Sequence, residues 1–178
     1  CIGLAQRSVV VNNLPVATIT ASSTAVCEGQ SVTLTANGAG VGGSYRWSTG
    51  EVQQSITLNN LLTNTTVSVV AIASGGCESL PVQQEITVST LPNPSIAGGS
   101  SVCQGGTLQL VASDPDPNVT FVWNDGTVGG TLVVSAAGTY TVTATNAGGC
   151  TAQASKTVAV APLPTPTITA SIVGTAEA

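Results

Sequence analysis

The chain has 178 residues and a net charge of −5, with 42% hydrophobic residues but only 6% charged ones. Phosphate binding needs clustered Lys and Arg, so the three cations Arg7, Arg46 and Lys156 argue against a nucleic-acid partner. The longest apolar stretch, at residues 67–73, is far shorter than the 18 or more residues of a membrane-spanning helix, so we expect no span in this sequence.

Taken from its start, the chain contains an internal repeat. A Leu-Pro segment, a Cys-x-Gly segment, a Trp-x-x-Gly segment and a Gly-Gly-Cys segment recur in the same order. Cys27 and Cys103 are 76 residues apart, as are Trp47 and Trp123. Repetition at a fixed period indicates repeated structural units. We predict two whole repeats, 14–90 and 91–162, with 1–13 as the last strand of a preceding repeat and 163–178 as the start of a following one.

Within each repeat, apolar and polar residues alternate over short segments, which is typical of half-buried strands. The predicted strands lie at residues 31–36, 55–58 and 66–73 of the first repeat and at 139–145 and 155–160 of the second. Gly-rich and Asn-rich turns separate them, and no segment has a helical period. Six or seven short strands in about 75 residues predict a β-sandwich.

The repeats are joined by Leu-Pro-x-Pro segments, which begin at Leu91 and Leu163. Two prolines in such a short connection favour an extended polyproline conformation over a flexible hinge. We therefore expect tandem sandwiches on short, stiff linkers, with neighbouring repeats of the same chain as their first partners.

The ordered motifs resemble a known family. Cys-x-Gly-x-x-Val/Leu-x-Leu, then Trp-x-x-Gly, then the segment from Gly138 to Cys150 resemble the Ig-like and PKD-like repeats of large Bacteroidota surface proteins and gliding adhesins. The resemblance covers essentially the whole chain. It implies tandem Ig-like sandwiches, export by a type IX system and an extracellular or cell-surface location. It differs in the cysteines, which fall in turns, whereas Ig domains place theirs inside the second and sixth strands.

Three aromatic residues are predicted to lie in the core of the sandwiches: Trp47, Trp123 and Tyr140. By analogy with Ig sandwiches, each Trp packs on the third strand against the opposite sheet. The alternative is an exposed indole that serves as a sugar-stacking platform in an adhesin.

Residues that could support catalysis are scarce. The chain has no His and a single Lys, and His is the most frequent general base and a common metal ligand. Asp114 and Asp116 are weak candidates for a calcium site, but the equivalent loop of the first repeat contains no acid. We expect no enzyme activity and no cofactor, and we expect the Asp114–Asn118 loop to be a proline-stiffened turn.

Four cysteines, Cys27, Cys77, Cys103 and Cys150, should be oxidised outside the cell. The pairing within each repeat, Cys27 to Cys77 and Cys103 to Cys150, leaves Cys1 to pair upstream of this sequence. In an Ig sandwich, however, those positions lie at opposite ends of a strand, too far apart for the roughly 7 Å between α-carbons that a disulfide allows. The alternative is a bond between successive repeats, from Cys27 to Cys150. We expect the first pairing, and the second stays open.

These features together predict a structural or adhesive segment of an extracellular repeat array, such as a surface stalk or filament. Two alternatives remain: a module that binds a surface glycan or protein, and an accessory module of a large secreted enzyme. Self-association into a fibre is a further expectation, because uncharged Thr- and Val-rich edge strands are poorly protected against pairing.

Overall fold

The computed structural model describes residue 7 and residues 13–169, and every regular element in that part of the chain is a β-strand. In chain order the strands are β1 (Thr18–Ala21), β2 (Ala25–Cys27), β3 (Val32–Asn37), β4 (Ser44–Trp47), β5 (Ser55–Leu58), β6 (Thr65–Ile72), β7 (Val82–Ser89), β8 (Ser95–Ala97), β9 (Ser101–Cys103), β10 (Leu108–Ser113), β11 (Thr120–Trp123), β12 (Thr131–Val134), β13 (Gly138–Thr145) and β14 (Thr151–Ala161). Over these same residues, no helix is long and apolar enough to cross a membrane.

The strands form two compact units. The first unit runs up to Pro92 and also includes Thr145–Thr151, and the second comprises Asn93–Ala144 and the chain from Ala152 on. Two segments of the predicted second repeat belong to the first unit: Leu91 with Pro92, and the turn between β13 and β14. Apart from residues 7 and 13, the predicted strand 1–13 lies outside the described residues, and the predicted start of a following repeat is described only as far as residue 169.

The first unit is a sandwich of two sheets. Strands β1, β3 and β5 form one sheet in the order β1-β3-β5, and the other has the order β2-β7-β6-β4. Neighbouring strands are antiparallel except β2 and β7, which run parallel with Cys27 opposite Ser89. The short strand β2 therefore ends beside the last residue of β7.

The second unit repeats this topology. Its sheets have the orders β12-β10-β8 and β11-β13-β14-β9. Strands β9 and β14 run parallel, with Cys103 opposite Ala161, as Cys27 and Ser89 do in the first unit. The seven strands of each unit form the all-β, Ig-like sandwich that the sequence predicts.

Alternation of side chains creates each core. In β3 the inward residues Val32, Leu34 and Ala36 are fully buried while the residues between them face outward. In β10 the inward residues Leu110 and Ala112 are buried in the same way. Because side chains of a strand alternate between its two faces, one sequence pattern supplies both an apolar inner layer and a Thr-rich surface.

Trp47 and Trp123 end strands β4 and β11, and each is 2% exposed. Each indole Nε1 donates a hydrogen bond to a main-chain carbonyl six residues later, that of Gln53 at 2.8 Å and that of Gly129 at 2.9 Å. The glycines of the Trp-x-x-Gly motif, Gly50 and Gly126, have φ values of 100° and 88°. Glycine reaches that conformation without strain. The turn at this Gly therefore brings the following loop to the indole of the Trp in the same motif.

Candidate functional site: a cysteine turn in the first unit

A disulfide in the first unit joins Cys27, the last residue of β2, to Cys150. Their α-carbons are 5.7 Å apart although the residues are separated by 123 positions in the sequence. Cys77 and Cys103 are free, Cys77 partly exposed and Cys103 exposed. The pairing within each repeat, Cys27 to Cys77 and Cys103 to Cys150, is therefore wrong, and the alternative bond is the one that forms.

The register of the sheets explains this correction. Cys27 lies beside Ser89 at the end of β7, whereas β6 and the turn that carries Cys77 adjoin the start of β7 at Val82. Seven residues of strand, about 23 Å, separate the two ends. In the second unit the eleven-residue strand β14 separates Cys150 from Cys103 in the same way. Neither distance can be bridged by a disulfide.

The segment 146–150, here named the bonded turn, is held by its own main chain. The Asn146 N–H donates to the Cys150 carbonyl at 3.0 Å, and the Gly149 N–H donates to the Asn146 carbonyl at 3.0 Å. The Asn146 side chain completes the turn, since its Oδ1 accepts a hydrogen bond from the Cys150 N–H at 2.9 Å. Asn146 thus fixes the direction in which the cysteine points.

The bonded turn rests on the end of β7. Asn146 Nδ2 donates to the Thr90 carbonyl at 2.7 Å, and the Cys150 sulfur lies 3.8 Å from the Ser89 carbonyl oxygen. A Cβ atom placed on Gly148 would lie 2.7 Å from Ser89 Cβ. Cys150 is only 1% exposed. We name the receiving group, Cys27 with the main chain of Ser89 and Thr90, the first-unit socket.

Sequence reasoning did not identify Asn146, Ser89 or Thr90 as part of a site. Ser89 and Thr90 contribute mainly backbone groups, which the sequence does not distinguish. Asn146 did carry a signal, because the matching position of the first repeat is Ala73, and an Asn that precedes Gly-Gly-Cys can bond to its own turn.

The two acidic candidates, Asp114 and Asp116, accept hydrogen bonds from main-chain N–H groups of their own loop and of Asn93. The Asp114 carboxylate accepts from the N–H groups of Asn93 and Asp116 at 2.7 and 3.0 Å. The Asp116 carboxylate accepts from the N–H of Asn118 at 2.9 Å. Over the described residues, no group of three or more His, Cys, Asp or Glu side chains is placed to hold a metal ion. These carboxylates shape the Pro-containing turn.

Arg46 and Glu78 form an ion pair at the surface of the first unit. Two hydrogen bonds of 2.8 and 2.7 Å join the guanidinium to the carboxylate. These hydrogen bonds hold the pKa of Glu78 below its ordinary value and raise that of Arg46. Both side chains are about half exposed, so the pair adds little to stability.

The first unit also has a shallow apolar groove of about 250 Å³, lined mainly by Leu14, Val16, Leu80 and Val82. Its one polar side chain, Ser79, is already satisfied: Ser79 Oγ accepts from the Ala71 N–H at 3.0 Å and donates to the Leu80 carbonyl at 2.8 Å. No ionisable side chain lines the groove. It offers apolar contact area and no group for acid–base chemistry.

The third predicted core aromatic, Tyr140, lies in β13 and packs against the core of the second unit while partly exposed. Its hydroxyl donates to the Ala136 carbonyl at 2.9 Å. A Tyr at the start of the sixth strand that bonds to the backbone just upstream is the tyrosine corner of Ig sandwiches.

Comparison with known families agrees with this geometry. Residues 91–164 match a family model described as an Ig-like domain, CHU_C associated. The match confirms the Ig-like repeat that the sequence motifs predicted and its resemblance to Bacteroidota-type surface proteins. No curated protein matches the chain.

Several solved structures resemble the chain at low identity. The mouse coronavirus receptor-binding domain in complex with its murine receptor gives a TM-score of 0.46 at 11% identity, covering 82% of this chain and 100% of that chain. The N-terminal domains of the bacteriophage RB49 Highly Immunogenic Outer Capsid protein give 0.41 at 15%, covering 82% and 59%. A 1.5-MDa bacterial ice-binding adhesin gives 0.39 at 14%, covering 84% and 66%. All three TM-scores are below 0.5, so these likenesses are too distant to inform function.

Proposed function

We propose that this chain is a structural or adhesive segment of an extracellular repeat array, with the cystine of the first unit as its functional feature. The observation that carries the proposal is the Cys27–Cys150 bond. Cys150 lies between two strands of the second repeat, yet the turn that contains it belongs to the first unit. In the proposed array, bonds of this kind connect one repeat covalently to the next.

The same bond supports an extracellular compartment. Disulfides persist in oxidising surroundings outside the cytosol, and an Ig-like domain with a disulfide fits an extracellular or cell-surface protein. The low charge and the outward-facing Thr residues of β3 and β6 suit display in that environment. Secretion and attachment to a surface are part of the proposal.

A glycan-binding role has less support. Both indoles are buried, so neither Trp is available as a stacking platform for a sugar ring. The remaining large aromatic residues, Tyr45, Phe121 and Tyr140, are partly buried against their own cores. We therefore favour a structural role over recognition of a sugar, and a non-catalytic role over an enzymatic one.

The location can be tested on intact cells of the source organism. An antibody raised against the folded 178-residue chain should label unpermeabilised cells, and added protease should remove the label. Blocking free thiols before lysis should preserve the Cys27–Cys150 linkage in the recovered protein. A signal that appears only after permeabilisation, together with a reduced Cys27–Cys150 pair, would refute the extracellular assignment.

A further inference from the structure

The second unit carries an unoccupied copy of the first-unit socket. Strand β9 places Cys103 opposite Ala161 at the end of β14, as β2 places Cys27 opposite Ser89. The Gln104 N–H donates to the Ala161 carbonyl at 2.9 Å, which matches the 2.9 Å bond from the Glu28 N–H to the Ser89 carbonyl. We name Cys103, Ala161 and Pro162 the second-unit socket. Its cysteine is exposed and free.

The turn after each of these cysteines has the same shape. The Gln30 N–H donates to the Cys27 carbonyl at 3.0 Å, and the Gly106 N–H donates to the Cys103 carbonyl at 2.9 Å. Gly29 and Gly105 have φ values of 82° and 81°. The backbone around the two cysteines is therefore alike in the two sockets.

The first unit carries an unused copy of the bonded turn, residues 73–77, here named the free turn. The Ala73 N–H donates to the Cys77 carbonyl at 2.9 Å, and the Gly76 N–H donates to the Ala73 carbonyl at 2.8 Å. These are the two main-chain hydrogen bonds of the bonded turn. Gly76 and Gly149 have φ values of 83° and 77°. Cys77 is partly exposed and free.

Among the described residues, one socket is thus occupied, and a second socket and a second turn carry free cysteines. We propose that the second-unit socket binds the free turn of a second copy of this chain, through a Cys103–Cys77 disulfide and main-chain contacts like those of the bonded turn. The occupied socket in the same protein shows what the empty one accepts. Repetition of the contact would join copies head to tail.

Charge supports the same pairing. Glu78 follows Cys77 in the free turn, and Glu28 follows Cys27 in the first-unit socket, whereas Gln104 follows Cys103 in the second-unit socket. The second-unit socket thus lacks the carboxylate that follows the cysteine of the first-unit socket, while the free turn carries Glu78. The free turn has Ala73 in place of Asn146, so it lacks the amide that bonds to Thr90, and the disulfide is the main attachment.

The bond forms by thiol–disulfide exchange. A low-molecular-weight disulfide such as oxidised glutathione takes the two electrons and two protons of the Cys77 and Cys103 thiols. It leaves as two glutathione thiols, and a sulfur–sulfur bond joins the two chains. The proposal depends on the extracellular role only for its oxidising surroundings, and a glutathione redox buffer supplies these in vitro.

A mixing experiment with two variants tests the proposal, both with Cys1→Ser so that only the relevant thiols remain. Cys103→Ser offers only the free turn, and Cys77→Ser offers only the socket. In a redox buffer with equal amounts of the two variants, the ratio of mixed dimer to the sum of the two homodimers should exceed the random value by about tenfold, equivalent to about 1.4 kcal/mol. Pepsin digestion and mass spectrometry should find the Cys77–Cys103 peptide in that dimer. A statistical mixture of dimers, or no dimer, would overturn the proposal.

Two further variants separate docking from simple exposure. Val133 is 63% exposed in β12, away from the socket. A chain with Val133→Cys, Cys77→Ser and Cys103→Ser therefore presents an exposed cysteine outside the socket. It should link to the free turn only at the statistical yield. Gly75 corresponds to Gly148, which packs on Ser89, so Gly75→Val should abolish the excess of mixed dimer. Three results would contradict the proposal. Val133→Cys could link to the free turn as well as Cys103 does, Gly75→Val could keep the full excess of mixed dimer, or Cys77 and Cys103 could bond within one chain.

Discussion

At the scale of single residues, each indole combines a large buried surface with a satisfied N–H. Trp47 and Trp123 are 2% exposed, and each bonds to a carbonyl of the following loop. Few other large side chains are fully buried in either core, whose other residues are mostly Val, Leu and Ala. Each unit therefore depends on one Trp to fill the space between its sheets.

Replacing either Trp with Ala should lower the free energy of unfolding of its own unit by about 3–5 kcal/mol, as deletion of large aromatic side chains from cores does. Trp47→Phe and Trp123→Phe are the matched controls; each should cost less and leaves one Trp as a fluorescent reporter of the other unit. Urea titrations followed by circular dichroism measure unfolding of the altered unit, and the fluorescence of the remaining Trp shows whether the other unit is unchanged. A loss below about 1 kcal/mol in either Ala variant would show that the core tolerates the cavity.

The surface pair Arg46–Glu78 predicts a small dependence of stability on pH. Hydrogen bonds from Arg46 hold the pKa of Glu78 below its value in the unfolded chain, so the folded state favours the charged carboxylate. This contribution is present above the ordinary Glu pKa of about 4.3 and disappears as the pH falls through the folded pKa. Wild type should thus be slightly more stable than Glu78→Gln at neutral pH.

Thermal unfolding of the wild type and of Glu78→Gln, at pH 7 and below pH 4, measures the difference in stability between them. Glu85→Gln, which changes an exposed carboxylate of the neighbouring strand β7, serves as the control and should show no such convergence. If Glu78→Gln differed from wild type equally at both pH values, the ion pair would not be the cause.

At the scale of elements, the bonded turn depends on a residue without a side chain. A Cβ on Gly148 would meet both Cβ and Oγ of Ser89. Gly148→Val should therefore slow formation of the Cys27–Cys150 bond and make it easier to reduce. Gly75→Val, at the matching position of the free turn, should leave that bond unchanged. Titration with dithiothreitol, followed by mass spectrometry of alkylated Cys27 and Cys150, compares the two; equal sensitivity to reduction would refute the contact.

Five of the fourteen strands were given bounds from the sequence, and most of these lie close to the observed ones. The predicted strand 55–58 coincides with β5, the predictions at 31–36 and 66–73 are shifted by one residue from β3 and β6, and the prediction at 139–145 begins one residue after the start of β13. The reason is physical, since one buried face imposes a period of two that the sequence displays directly. The prediction at 155–160 covered about half of β14, because residues 151–154 contain Ala and Gln and lack a strong apolar alternation.

The short strands β2 and β9 were not predicted. Each has three residues, too few to show a period, and their parallel pairing with the last strand of the unit depends on the tertiary fold. The disulfide depends on that pairing, because Cys27 is placed by the register of β2 on β7. An error in the cysteine pairing therefore followed from two strands that carry almost no pattern.

At the scale of the whole molecule, one cystine encloses most of the chain. Cys27 and Cys150 are 123 residues apart, and closing so long a loop reduces the entropy of the unfolded chain by an amount worth about 5 kcal/mol in the chain-entropy model. The double variant Cys27→Ser, Cys150→Ser should lose about 2–5 kcal/mol of unfolding free energy. Cys77→Ser, Cys103→Ser, which removes two free thiols, should behave as wild type in dilute solution.

Urea titration of monomeric protein provides the test, with Trp fluorescence as the signal. Equal destabilisation by both double variants would show that the effect comes from loss of cysteine side chains and that the covalent loop contributes nothing. Addition of a reductant to the wild type should reproduce the Cys27→Ser, Cys150→Ser result.

The cystine also decides how tension would pass through the chain. A pull on the two ends reaches Cys27 and crosses directly to Cys150, so residues 28–149 bear no load while the bond is intact. Of the described strands, only β1, β2 and β14 lie on the loaded path. Stretched single molecules should therefore yield only the lengths of the flanking segments, and reduction should release about 400 Å of further contour length, the extended length of the 123-residue separation. A single covalent bond thus keeps β3 to β13 free of load, and only β1, β2 and β14 can be pulled directly from their sheets.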